Sequence, residues 1–214
     1  MKTRKFFLIV FRFFLLLLVP AYARAQTVRI ANLKAEGDGC RNGRVTAITA
    51  PDGSSFSLLF DEFSVEAGGV VNKAVASRSC RVRFDVQVPV KKKLKVLRLD
   101  YRGFASLPKG AKAYVNTAHG MQAVGRNPVR TQARSEIGGA AEKEFLFTQK
   151  VDSTSEIDCG KKGAFDLDVK LGVEAYQLVG RAAMIPIKGS AVAFLDSIDG
   201  GASVTYLLQL KSCD

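Results

Sequence analysis

The sequence contains no tryptophan and a single histidine, His119. The first absence removes the indole platform on which apolar sugar faces stack most readily. A sugar-processing cleft would have to rely on Tyr101, Tyr114, Tyr176 and Tyr206. The second absence excludes a histidine-rich metal centre. It also confines any Ser-His-Asp or Cys-His site to His119, and no Gly-x-Ser-x-Gly elbow is present. His119, in "NTAHGM", reads as a loop histidine rather than a general base. No Cys-x-x-Cys pair occurs, so neither a thioredoxin-type site nor a zinc knuckle is indicated. No metal site or cofactor is expected. The chain also lacks a fixed-period repeat, a Pro/Ser-rich linker and a helical stripe sustained over three turns.

Long apolar runs are missing everywhere except at the start. "MKTRK" is basic, "FFLIVFRFFLLLLVP" is apolar but interrupted by Arg12, and "AYARA" ends in a small-x-small pattern. This is the anatomy of a signal peptide over residues 1–25, cleaved before Gln26. The run is too short and too interrupted for a membrane span. Residues 26–214 then form a single exported domain with no transmembrane anchor after removal of the signal. Loss of Lys2, Arg4, Lys5, Arg12 and Arg24 lowers the formal charge from +12 to +7. The remaining charge favours anionic partners, although interspersed charges also serve solubility.

Four cysteines remain: Cys40, Cys80, Cys159 and Cys213. An even count in an exported chain argues for two disulfides. Three connectivities are possible and the sequence does not choose among them. The sequential pairing, Cys40–Cys80 with Cys159–Cys213, is the preferred expectation.

The dominant hydrophobic period is two. "RVRFDVQVPV" (81–90) places Val82, Phe84, Val86, Val88 and Val90 on one face, and "FDLDVKLGVE" (165–174) repeats the pattern. "SFSLLF" (55–60) and "SVTYLLQLK" (203–211) follow it. Weaker strands are expected near 28–34, 44–50, 112–118, 144–151, 176–184 and 190–196. Turns are marked by "PDGSS", "PKG", "DCGKKG" and "DGG". Many short strands with Gly-rich turns predict an all-β, antiparallel β-sandwich or jelly-roll-like fold. Residues 119–143 carry no strong period and read as a long loop. In "LRLDYRGFASLPKG" (97–110), Leu94 and Val96 have the opposite parity to Leu97, Leu99 and Tyr101. A bulge near Val96–Leu97 reconciles them, and Arg98, Asp100 and Arg102 become a solvent-facing charge ladder.

These blocks carry a family resemblance. "GDGC" (37–40), "SLLFDEFSVEAG" (57–68), the Cys80 strand, "LDYRGFASLPKG" (99–110), "DCG" (158–160), "LDSIDG" (195–200) and "YLLQLKSC" (206–213) recur in this order. The chain resembles the small secreted cysteine-paired proteins of the domain of unknown function 4360 family. That family usually has an aromatic-containing Pro-Gly turn after its second Cys strand, where this chain has "VPVKKKLKV", and Trp before its last Cys, where this chain has Leu210. The resemblance implies an exported, disulfide-linked β protein. The family has no assigned activity and lends no catalytic residues.

Two candidate chemistries remain. Asp61, Glu62 and Glu66, with Asp100 across a sheet, could supply the carboxylate pair of a glycan hydrolase. Asp196 and Asp199 in "DSIDGG" lack EF-hand spacing and read as a hairpin turn. The second chemistry is basic. Lys91, Lys92, Lys93 and Lys95, with Arg98 and Arg102, follow one strand. Arg126, Arg130 and Arg134 recur in the expected loop. The leading expectation is therefore a secreted, non-enzymatic structural or binding module. These cations would hold an anionic envelope or extracellular ligand, either a polysaccharide or a lipid headgroup. A protein-binding inhibitor or adhesin is a further alternative. No nucleic-acid module is present.

Overall fold

A computed structural model describes residues 27–41, 44–151, 156–180, 183–195 and 204–213. Residues 1–25, expected to be a leader, and "DSIDGG", expected to be a hairpin turn, lie outside the described residues. Fifteen strands are formed: β1 (Arg29–Glu36), β2 (Val45–Thr49), β3 (Ser55–Phe60), β4 (Ser64–Gly68), β5 (Val75–Gln87), β6 (Lys92–Leu107), β7 (Lys112–Ala123), β8 (Val129–Gly138), β9 (Ala141–Lys150), β10 (Glu156–Ile157), β11 (Lys162–Glu174), β12 (Tyr176–Val179), β13 (Ala183–Pro186), β14 (Ser190–Phe194) and β15 (Val204–Ser212). All named strand pairs are antiparallel. Among the described residues no helix is long and apolar enough to cross a membrane.

Two sheets face each other. One has five strands in the order β1-β5-β11-β7-β8. The other follows β2-β3-β15-β6-β14-β4, with β9 and β10 on the second edge of β6. The 16-residue β6 holds this sheet together. Along one edge it pairs β15 and then β14, and along the other it pairs β10 and then β9. The result is an antiparallel β-sandwich, as the period-two pattern predicts.

The inward faces meet in one aromatic cluster. Phe84 of β5 stacks on Phe165 of β11 with ring centroids 5.2 Å apart. Phe56 of β3 stacks on Tyr206 of β15 at 4.3 Å and meets Phe84 edge-on at 5.4 Å. Fully buried Leu58, Leu94, Leu99, Leu167 and Leu171 extend the core on both sides. Leu97 is the extra residue in the register shift between β6 and β15, where Val96 pairs Leu208 and Arg98 pairs Leu207. This bulge restores inward parity for Leu99 and Tyr101.

Two expectations are corrected. Residues 119–143 are not a long loop: they hold the end of β7, all of β8 and the start of β9, and the β7–β8 connection shrinks to 124–128. No hydrophobic period marks β8, because its positions of inward parity include the small or polar Thr131, Ala133 and Ser135. The 176–184 segment is a separate hairpin, β12 with β13, turning about Gly180.

Cys40 is bonded to Cys80 with Cα atoms 5.4 Å apart, and Cys159 to Cys213 with Cα atoms 6.3 Å apart. The first bond ties the segment after β1 to β5. The second ties the segment leading into β11 of one sheet to the end of β15 in the other. Their loops span 40 and 54 residues. Removing either bridge is expected to cost about 4 kcal/mol in the chain-entropy model. Urea unfolding of Cys40→Ala/Cys80→Ala and of Cys159→Ala/Cys213→Ala measures this, and an unchanged midpoint for either pair would contradict it.

Candidate functional site

The outward side chains of the five-stranded sheet build a groove. On the central strands β7 and β11 the floor is low, because Ala118, Gly120 and Ala164 carry little or no side chain. At Gly120 the Asp166 carboxylate lies where a Cβ would stand. The walls are long: Arg81 and Arg83 on β5, Arg130, Gln132 and Arg134 on β8. Two contiguous lobes result, of about 830 Å³ and about 590 Å³, and both are lined by Arg81, Arg130 and Asp168.

Strand register sets the electrostatics. Glu36, Arg81, Asp168 and Ala118 form one cross-strand row, continued by Gln132. Lys34, Arg83, Asp166, Gly120 and Arg130 form the next. Asp168 accepts from Arg81 Nε at 2.5 Å and from Arg130 Nη2 at 2.8 Å. Arg130 Nη1 also reaches Asp166 at 3.4 Å. Arg134 donates to Asn116 Oδ1 at 3.3 Å and lies 4.2 Å from the centroid of the Tyr114 ring. At the rim a register shift in β1 puts Asn32 at φ 53°, and its amide donates to Asp85 at 2.6 Å. Such half-exposed ion pairs contribute little stability. They do hold donors and acceptors in fixed positions along the groove.

The expected basic residues do not form one site. Arg130 and Arg134 are strand residues on the groove wall. Arg126 lies in the 124–128 turn and pairs with Asp158 at 2.7 Å. Lys91 occupies a turn at φ 64°, and Lys92 donates to Ser212 Oγ at 3.0 Å. Lys93, Lys95, Arg98 and Arg102 lie on β6, in the other sheet. Arg98 donates to Asp100 at 3.3 Å, and Asp100 also accepts from Thr148 at 2.7 Å.

The four candidate carboxylates line neither lobe of the groove. Asp61 and Glu62 sit between β3 and β4, where Glu62 meets Arg44 at 3.4 Å. Glu66 on β4 accepts from Ser190 Oγ. Among the described residues no group of three His, Cys, Asp or Glu side chains is placed to hold a metal ion.

Arg81, Asp166, Asp168, Asn116 and Gln132 join the site without being expected from the sequence. Their outward parity was visible, but β5 and β11 lie some 80 residues apart and nothing local announces that they pair.

The family described as Domain of unknown function (DUF4360) matches residues 26–213, and the chain belongs to it. An "Uncharacterized secreted protein" of Arthroderma benhamiae (strain ATCC MYA-4681 / CBS 112371) is 24% identical over 150 residues. The match takes in 69% of this chain and 60% of that relative, so the chain spans well under the relative's full length. Among solved structures, TmCBM61 in complex with β-1,4-galactotriose is similar at 12% identity and a TM-score of 0.30, covering 85% of this chain and 89% of that one. The mannan-recognising carbohydrate-binding module TmCBM27 is similar at 11% identity and the same TM-score, covering 86% and 90%. Likeness of that degree leaves the chemistry of the groove to rest on its own residues. The two formed disulfides fit an extracellular protein.

His119 is not a loop residue, as the sequence suggested. It lies on β7 facing inward and is 1% exposed. Its ring packs edge-on against Tyr206 at 5.3 Å, and Nδ1 is 3.4 Å from the Tyr206 hydroxyl. Burial pushes its pKa from 6.5 down to about 4. The folded protein therefore holds His119 neutral at a pH where the unfolded chain takes up a proton. Its contribution is complete above pH 6.5, declines as pH falls from 6.5 to about 4, and stays constant below. The expected loss at pH 4 is on the order of 3 kcal/mol. Urea titrations at pH 7, 5.5 and 4 read it. A His119→Phe variant that retained the same slope between pH 6.5 and 4 would assign the loss to carboxylates instead.

Proposed function

We propose that the protein is an exported, non-enzymatic binding module that lays an extended polysaccharide chain across its five-stranded sheet. The observation that carries this reading is the charge balance of the groove. Its cations are Lys34, Arg81, Arg83, Arg130, Arg134 and Lys170. Its carboxylates are Glu36, Asp38, Asp85, Asp166 and Asp168. Six against five leaves +1, too little to attract a polyanion by field alone. A lattice of shared guanidinium and carboxylate groups offers alternating donors and acceptors, which is what sugar hydroxyls require. Hydrogen bonds to charged groups are the stronger kind. The ligand that fits is a neutral or sparsely charged glycan, and no hydrolytic step is part of the reading.

A second reading rests on the β12–β13 hairpin. Leu178 and Met184, directly paired, are 64% and 52% exposed, which suits a protein partner. The two readings separate by mutation. A neutral glycan panel followed by calorimetry is expected to find a ligand for the wild type. Arg81→Ala and Arg130→Ala should each weaken binding by about 10- to 100-fold, and Ala118→Phe, which fills the floor, should abolish it. Leu178→Ser/Met184→Ser should leave it intact. Glycan binding indifferent to Ala118→Phe would overturn the groove assignment.

A further inference from the structure

The outer face of the eight-stranded sheet places like charges directly opposite one another. In the β6–β15 ladder Lys93 pairs Lys211, and in the β6–β9 ladder Arg98 pairs Lys150. Lys95 stands between these rows, opposite Gln209 on β15 and Glu156 on β10. Directly paired residues of antiparallel strands project from the same face. Inward parity here belongs to Leu94, Val96 and Leu99, all fully buried. Five cations on the neighbouring strands β15, β6 and β9 therefore share one outer surface with two carboxylates, Glu156 and the Asp100 that pairs with Arg98.

Like charges directly opposite destabilise a sheet. In the other sheet Arg81 and Arg83 each face a carboxylate on β11, Asp168 and Asp166, so that even the Lys34–Arg83 pair of β1 and β5 has a counter-charge in its row. Among the described residues none of Lys93, Lys95, Lys150 and Lys211 has a carboxylate within ion-pair distance. The nearby Asp100 is already occupied by Arg98 and Thr148. We infer that this face is a second binding site, distinct from the groove, for a linear anionic polysaccharide. Negative charges bound between the paired cations remove the repulsion that the free protein carries. Successive outward positions on a strand are about 7 Å apart and neighbouring strands about 4.8 Å. The cations thus form a broad ladder along which an extended polyanion can lie. Gln209, Thr148 and Thr205 on the same face supply uncharged polar contacts for hydroxyls. That mixture favours a charged glycan over a lipid bilayer.

The test uses the exported protein with disulfides intact and polygalacturonate as the probe, with its fully methyl-esterified form as the uncharged match. The wild type is expected to bind polygalacturonate at low salt, more weakly as salt rises, and to bind the ester at least tenfold less well. Lys150→Gln/Lys211→Gln should lower polygalacturonate affinity by about tenfold or more. Lys150→Arg/Lys211→Arg, which keeps the charge, should retain it. Ala118→Phe in the groove should leave this binding unchanged, so failure of the groove reading does not register as failure here. Equal binding by wild type and the Gln pair, or equal binding of acid and ester, would overturn the inference. So would binding to phosphatidylglycerol vesicles with none to polygalacturonate.

Discussion

Phe84 and Phe165, stacked on each other and met by Phe56 and Tyr206 from the opposite sheet, lock the register on which both surfaces depend. Phe84 pairs Phe165 directly across β5 and β11. Once those rings face inward, Arg83 and Asp85 must face outward, as must Asp166 and Ala164. A slip of one residue would turn every charged side chain of the pair into the core. The burial energy of four aromatic rings therefore also sets which cation opposes which carboxylate in the groove. The wall, the floor and the ion-pair lattice follow from core packing.

The eight-stranded sheet answers to a second constraint, the continuity of β6. The 16-residue β6 pairs four other strands, and its inward positions change parity between Val96 and Leu99. The bulge at Leu97 resolves this. It leaves Leu97 itself 41% exposed and returns Leu99, Tyr101 and Ala105 to the core. It also decides that Lys93 and Lys95 before the bulge share a face with Arg98, Asp100 and Arg102 after it. The Cys159–Cys213 bond then fastens the end of β15 beside the β5–β6 turn, where Cys213 N donates to Lys91 O at 3.0 Å. The Lys211–Lys93 pair is thereby held together despite its repulsion.

What could be read from the sequence followed local parity. The β5, β11, β3 and β15 patterns were legible because each buries a full apolar face against the other sheet. The conflict of parity at Val96–Leu97 was legible for the same reason. β8 was not, since its inward positions carry Thr131, Ala133 and Ser135, and such positions hold no hydrophobic period. His119 was misread because a polar residue between Ala118 and Gly120 looks like loop composition, whereas the aromatic neighbours that bury it come from other strands. The groove was illegible for a deeper reason. Its residue types were all visible on outward parity, but a site made from cross-strand rows exists only once the strand order is known.

The two outer faces now pose one electrostatic contrast. Both descend from alternating strands rich in Lys, Arg and Asp, and composition alone would treat them alike. Pairing separates them. Where β5 meets β11, opposite charges face each other and neutralise locally, leaving a fixed, nearly uncharged polar trough. Where β6 meets β15 and β9, Lys93 faces Lys211 and Arg98 faces Lys150, and of these four only Arg98 is met by a carboxylate, that of Asp100. The first arrangement stabilises the free protein slightly and recognises by hydrogen-bond geometry. The second costs stability in the free protein and recovers it only when a counter-charge arrives. A module that carried only solubilising charge would have no reason to concentrate repulsion in paired positions when a glutamate at 150 or 211 would relieve it. Lys93 opposite Lys211 and Arg98 opposite Lys150, with only Arg98 of the four in an ion pair among the described residues, are the structural reason to regard the two faces as separate sites with chemically different ligands.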